Sequence, residues 1–239
     1  MSEVVQHDFK FFGNETPPVV GSPDGLFWRS KDTSVTGSPT IVGAGGSMVL
    51  TLDAEVEAEN LCLYFGDILS LDIDNLKSIE MWVQCSATLI AGVDIAFGVA
   101  SERNDAIDTI AEQALFRVIG AGAAAGAVTV ETDDGTNNND DIATGQTLAA
   151  SIKRCMIEFD TGVATQDVRD GGGVGGKADV LFSMDNGSGL LQPVARNTRF
   201  DMSNYSGGLQ PYLQIQKTAS ASAASVSLKR VRVTEKFPF

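Results

Sequence analysis

Along most of this chain, apolar and polar residues take turns. In LKSIEMWVQ, Ile79, Met81 and Val83 fall on one face and Glu80, Trp82 and Gln84 on the other. In VDIAFGV, Val93, Ile95, Phe97 and Val99 alternate with Asp94, Ala96 and Gly98. The same period runs through AVTVE (Val128, Val130), RCMIEF (Cys155, Ile157, Phe159) and ADVLFSM (Val180, Phe182, Met184). Successive side chains of a strand point to opposite faces, so each segment predicts a strand with one buried face. SMVLTL, LCLYF, LFRVI, YLQIQ and VSLKRVRV are further strand segments. Roughly ten strands separated by Gly, Asn, Asp and Ser turns predict an all-β sandwich or barrel.

Two places break the period. Val226 and Leu228 are in one phase and Val231 and Val233 in the other, which predicts a β-bulge near Lys229. In NDAIDTIAEQALF, Ile107, Ile110, Ala111 and Ala114 recur at helical spacing behind a possible cap at Asn104 or Asp105. That predicts a short helix or an ordered loop crossing a sheet edge, and at most one short helix in the fold. TDDGTNNNDD (132–141), RDGGGVGGK (169–177) and KTASASAASVS (217–227) read as exposed loops. The last of these is expected to join YLQIQ and VSLKRVRV as an antiparallel pair. Near the N-terminus, FKFFGNETPPVVGSPDG mixes aromatics with Pro17, Pro18 and Pro23 and has no period. It predicts an extended arm over residues 1–26, before a β-domain over 27–239.

Composition narrows the partners. The 239 residues carry a formal net charge of −14, which repels a nucleic-acid duplex. No apolar run approaches the ~20 residues of a membrane-spanning helix. No basic start with an apolar core, the pattern of a secretory signal, is seen at the N-terminus. Cys62, Cys85 and Cys155 are far apart, odd in number and set in apolar runs. They read as small buried hydrophobes rather than a disulfide framework or zinc cluster, and fit a reducing cytoplasm.

Candidate chemistry is sparse. Gly120, Gly122 and Gly126 come near a dinucleotide fingerprint, but the strand segment AVTVE follows where a helix N-terminus must bind pyrophosphate. The run from Gly171 to Lys177 comes near a phosphate loop, but Ala178 replaces the Ser or Thr that would bind magnesium. TDDGTNNNDD lacks EF-hand spacing, which leaves open only a calcium site shared between loops. His7, the single histidine, lies in the arm, away from any triad or His-based zinc site. Glu158 and Asp160 form an E-x-D pair whose third acid is replaced by Val163, and Glu80 lies near Trp82. The expectation is no enzyme, with no catalytic, cofactor-binding or metal residues.

LCLYFGDILSLDIDNLKSIEMWVQ resembles the part of laminin-G-like and concanavalin-like jelly rolls where a glycine turn and a D-x-D loop precede a strand ending in tryptophan. IAFGVASERND, ALFRVIG, KRCMIEFD and ADVLFSMDNG resemble the later strands, and YLQIQ with VSLKRVRV the closing pair. The resemblance covers Phe27 to Val233. It implies a two-sheet antiparallel jelly-roll sandwich. The chain also resembles jelly-roll decoration or cement proteins of tailed-bacteriophage virions. That implies a non-enzymatic structural protein on the capsid surface, made in the host cytoplasm, without cofactors. Its partners would be the major capsid protein and copies of itself in a homo-oligomer.

On this reading Phe9, Phe11, Phe12, Val19 and Val20 of the arm, with Phe237 and Phe239 of the tail, bury apolar area on neighbours. Lys229, Arg230 and Arg232, in the one basic cluster, dock on an acidic neighbour or simply face water. The alternative is a lectin-like carbohydrate-binding module of a phage tail or cell-surface protein. Trp28, Trp82, Tyr205 and Tyr212 would then stack on sugar rings, and loop acids would hold calcium. A free arm predicts that a chain lacking Met1–Asp24 folds but no longer binds capsids, as read by particle co-sedimentation.

Overall fold

The computed structural model describes residues 3–11, 28–68, 70–86, 92–120, 126–148, 150–159, 176–221 and 223–237. Its strands are β1 (Glu3–Lys10), β2 (Arg29–Asp32), β3 (Thr40–Ala44), β4 (Ser47–Thr51), β5 (Glu57–Tyr64), β6 (Leu71–Asp72), β7 (Leu76–Cys85) and β8 (Val93–Ala100). They continue with β9 (Glu112–Ile119), β10 (Ala127–Asp134), β11 (Asn138–Thr147), β12 (Lys153–Glu158), β13 (Leu181–Asp185), β14 (Leu191–Val194), β15 (Gly208–Ser220) and β16 (Ser225–Phe237). All ten segments with clear alternation are strands. The others are short, like β2, β3, β6 and β14, or polar, like β11, or set in the aromatic N-terminal stretch, like β1.

The strands form two antiparallel sheets. One runs β14-β13-β12-β7-β16-β4-β3, with β1 added along β16. The other runs β11-β10-β9-β8-β15-β5-β2, with β6 added along β15. This is the expected two-sheet antiparallel jelly-roll architecture. The expected closing pair is not one: β15 and β16 follow each other in sequence but lie in different sheets. Each is long enough to sit mid-sheet and collect several neighbours.

The phase slip in β16 is a bulge. Pairing with β7 shifts between Leu228 and Arg230, and Lys229 is exposed there. Before the bulge, Ser225–Leu228 pair with β4. After it, Arg230–Phe237 pair with β1. An extra residue turns the strand and reverses its phase, so Val226 and Leu228 on one side and Val231 and Val233 on the other all reach the core.

The expected arm thus belongs to the sandwich over residues 3–11. Phe9 packs on the core edge, and Phe11 is 8% exposed. Their rings meet Trp28 edge-on at centroid distances of 6.1 and 5.8 Å, and Trp28 meets Phe65 at 4.8 Å. Phe9 and Phe11 are committed to their own chain rather than left for a neighbour. The main core extends from Phe11 to Val233 and includes a run of rings, Phe97, Phe116, Phe182 and Phe200, at spacings of 5.3, 5.2 and 4.9 Å.

The expected short helix or ordered loop is an ordered crossing with a single 3-10 turn, and the strand after it starts earlier than expected. Only Ile107–Thr109 form a 3-10 turn, and Glu112–Ile119 are β9. As a strand, β9 pairs with both β8 and β10 and puts Phe116 between the sheets, which a helix would forfeit. The three cysteines are buried and unpaired, as their apolar settings predict.

Because β1 covers Trp28 and Phe65, removing Met1–Phe11 should destabilise the domain. Phe9 and Phe11 together contribute about 3–6 kcal/mol if each is worth ~1.5–3. The expected result is a lower urea midpoint for the truncated chain. A midpoint equal to that of the full chain would show that β1 adds nothing.

Candidate functional site

The outer face of the β15 sheet is crossed by the segment 101–111. Ile107 and Ile110 anchor it on Cys62, Tyr64, Ala96, Ala100, Leu115 and Tyr212 in a second small core. Polar side chains tie it down. Tyr212 Oη donates to Asn104 O at 3.3 Å, and Asn60 Nδ2 to Asp105 O at 2.9 Å. Gln214 Nε2 donates to Gln216 Oε1 at 2.9 Å. Gln210, Tyr212 and Gln214 are fully buried, so this ladder belongs to the fold.

Beside that strap lies an open groove of about 330 Å³, lined by Thr33, Asn60, Asp94, Asp105, Gln216 and Thr218 among others. Its floor comes from alternation: Asn60, Asp94 and Gln216 are the outward residues of β5, β8 and β15. Among the described residues no hydrogen bond or ion pair engages the half-buried Asp94 carboxylate. Asn60 Oδ1 also lacks a donor. With Gln216 Nε2, the groove offers acceptors and a donor side by side, whereas the Thr33 hydroxyl is already spent on Asp105 at 2.8 Å.

One residue inward on the same strands, charge enters the sandwich. Glu57 and Glu59 share the inward face of Leu61 and Leu63, and Lys217 follows Leu213 and Ile215. Lys217 Nζ lies 3.2 Å from Glu59 Oε1 and 3.5 Å from Asp53 Oδ1. It also donates to Asp53 O and Glu55 O at 2.8 and 2.7 Å. Burial, with Asp53 alongside, lifts the Glu59 carboxyl to about 7. Glu59 in turn, with the Ser38 and Glu55 amides, holds Asp53 well below the usual carboxylate range. Asp53, Glu57 and Glu59 bring carboxylate oxygens within 4.8 Å of one another.

A second acidic group, Glu131, Asp140 and Asp141, surrounds a cation the chain supplies itself. Arg117 Nη1 lies 3.0 Å from Glu131 and 3.7 Å from Asp141, and also pairs with Asp108 of the strap. Burial opposes the Arg117 charge, but these carboxylates hold its pKa above the ordinary value. Burial also lifts the Glu131 carboxyl to about 7, against the pull of Arg117.

The basic cluster lies on the outer face of the other sheet, around Trp82. Arg230, Arg154 and Arg232 stand 4.7, 5.5 and 5.5 Å from its ring centre. Arg230 makes two bonds of 2.6 Å to Asp8, and Arg154 and Arg232 share Glu80 at 2.6 and 3.6 Å. Lys229 is exposed, and with Lys10, Phe11, Trp82 and Ile152 it borders a depression of about 560 Å³.

The remaining candidates separate. Phe12, Val19, Val20, Asp160, Val163 and Phe239 lie outside the described residues, as does the Phe237 side chain, although its backbone ends β16. Of the expected sugar-stacking rings, Trp28 and Tyr212 are buried. Trp82 is covered by guanidinium groups, and Tyr205 Oη is spent on Gly208 O at 2.7 Å. His7 is exposed beside Glu235 at 3.3 Å. Glu158 faces outward on β12, its pKa raised by burial and by Glu80 nearby. The glycine stretch after Ile119 joins two paired strands, β9 and β10. Of TDDGTNNNDD, residues 132–134 end β10 and 138–141 begin β11, and only 135–137 form the turn, beside which Asp134 accepts from Thr136, Asn137 and Asn204. Neither the groove nor the interior charges were picked out from the sequence. Reading the alternation of LCLYF back through AEVEAEN puts Glu57 and Glu59 in the interior phase, and that signal was available.

No family profile and no curated protein sequence matches this chain. Solved structures do share its fold. Peanut lectin in complex with a nine-residue peptide is 10% identical, with a TM-score of 0.59 over 99% of this chain and 100% of the lectin. The exoplasmic/lumenal domain of VIP36 in its Ca²⁺/Man-bound form is 7% identical, with a TM-score of 0.55 over 92% of this chain and 88% of that domain. A Shewanella oneidensis MR-1 protein of unknown function is 9% identical, with a TM-score of 0.55 over 98% of this chain and 87% of that one. The fold is a lectin-like, concanavalin-like β-sandwich.

The Glu131 carboxyl ordinarily titrates near 4.5 and does so near 7 here. A raised carboxyl binds its proton more tightly folded than unfolded. Its stabilisation is full below about 4.5 and lost as pH rises through 7. Glu59 acts in the same window. The unfolding temperature should fall by several degrees from pH 5 to pH 8, and less steeply in Glu131→Gln. Equal slopes in the two proteins would exclude the role given to Glu131.

Proposed function

We propose that this chain is a non-enzymatic carbohydrate-binding module, with the groove beside the 101–111 strap as its sugar site. The observation that carries the reading is the unengaged Asp94 carboxylate in a polar groove with Asn60, Gln216 and two threonines. Sugar hydroxyls both donate and accept, and a recessed carboxylate flanked by amides answers both needs. The lectins that share the fold support the reading at the level of architecture. The buried aromatics argue for a hydrogen-bonded sugar rather than a stacked one.

Binding is read on a glycan array and then by calorimetry with the best glycan. Asp94→Ala should weaken binding about tenfold or more, since a hydrogen bond to a charged acceptor contributes ~1.5–3 kcal/mol. Among the described residues Asp94 has no structural partner, so the unfolding temperature should stay unchanged. Absence of any array signal, or full binding by the variant, would sink the reading.

A second reading keeps the chain as a virion decoration protein that adheres to the capsid or to its own copies. The basic cluster around the exposed Lys229 favours it, because it stands apart on a chain of net charge −14, with Lys10 and Arg230 paired to Asp8 and Arg232 to Glu80. Its test is co-sedimentation with particles. Lys229→Glu should abolish binding, and a variant that binds normally would remove this face from the interface.

A further inference from the structure

We infer that Asp53, Glu57 and Glu59 form a divalent-cation site of the calcium class at one end of the sandwich. Three carboxylates converge here against a single ammonium, that of Lys217. Lys217 is accounted for by Glu59, Asp53 and two backbone carbonyls. On the other side of the cluster, Glu57 Oε2 accepts from Thr36 Oγ1, while Glu57 Oε1 has no partner among the described residues. Glu57 is only 9% exposed, so this oxygen lacks both a donor and free access to water. A buried carboxylate oxygen in that position is a standing cost unless a cation meets it.

The surroundings suit a hard cation. The oxygens of Asp53 and Glu57 converge on Gly37, which has φ +81, and a Cβ there would collide with both carboxylates. The backbone thus leaves room for oxygens to gather. An open depression lined by Thr36, Gly37, Ser38, Asp53, Ala54 and Glu55 gives an ion a way in. All the side-chain donors are oxygens, with no imidazole or thiolate, and such a set selects calcium or magnesium over zinc or copper. Flexible carboxylates on a loop and a strand end favour calcium, which tolerates irregular geometry better than magnesium does. The Glu131 group differs, because Arg117 already fills it.

Glu59 and Lys217 of this cluster also line the sugar groove, but the cation's test needs no glycan, so its failure is distinguishable from failure of the sugar reading. The full chain is stripped with chelator, then titrated with calcium chloride by calorimetry and by thermal unfolding. The expected result is one site with a dissociation constant of ~10⁻⁵–10⁻³ M and a higher unfolding temperature with calcium. Glu57→Gln should weaken binding at least tenfold. In chelator it should unfold at or above the wild-type temperature, because the unpartnered charge is gone. Asp53→Asn, checked for folding by circular dichroism, provides a second variant with the same expected loss. No heat and no thermal shift with millimolar calcium would overturn the inference. So would a calcium response unchanged in both variants, or a Glu57→Gln protein that unfolds earlier in chelator, the mark of a purely structural carboxylate.

Discussion

Everything in this sandwich depends on the two middle strands keeping their apolar phase. β15 and β16 are consecutive in sequence, yet each runs through the centre of a different sheet. Leu209, Leu213 and Ile215 from one and Val226, Leu228, Val231 and Val233 from the other are fully buried. Side chains of a strand alternate strictly, so a slip of one residue would turn all of these outward. The bulge at Lys229 interrupts that alternation and keeps the second half of β16 facing in after the chain has turned, and further register shifts come only towards the strand ends, at Thr234/Glu235 and at Lys217/Ser220. β7, β4 and β1 then pair along β16, and β8, β5 and β6 along β15.

The same constraint places the charged features. β5 and β15 continue past the hydrophobic middle of the sandwich without changing phase. Glu57, Glu59 and Lys217 therefore point inward where apolar residues would otherwise lie, and Asn60 and Gln216 point into the groove. Burying charge is costly unless partners replace water, and Lys217 supplies one partner for Glu59 and Asp53. The opposite faces of one strand end thus carry an interior ion cluster and an exterior hydrogen-bonding surface, with only the backbone between them.

Much of the fold was legible in the sequence, because periodicity of two is a local signal. Each of the ten alternating segments is a strand, and the phase slip located the bulge. The short helix or ordered loop expected around Ile107–Ala114 is an ordered strap, on which Ile107 and Ile110 anchor one face. Ala114 already belongs to β9, whose place between β8 and β10 outweighs the local pattern. β1 was hidden because polar residues, among them the exposed His7, break its alternation, and Phe9 meets its partners Trp28 and Phe65 only in the folded sandwich. The candidate sites were less legible. Trp28 and Tyr212 were expected at the surface because ring-bearing residues suit sugars, yet burial takes precedence when aromatics meet one another. Asp94 and Gln216 look like ordinary solvated strand residues until the 101–111 strap builds a wall beside them.

The pairing of β1 with β16 also bears on how the chain reaches this state. Asp8 and Arg230, joined by two hydrogen bonds, lie 222 residues apart. Closing so large a loop has an entropic cost that must be met before the contact stabilises anything. The β16 sheet is therefore expected to complete late, and strand pairings this distant in sequence predict slow folding. Until then Trp28 and Phe65 lack their cover, and the chain passes through a stage with an exposed aromatic surface at one end of the sandwich.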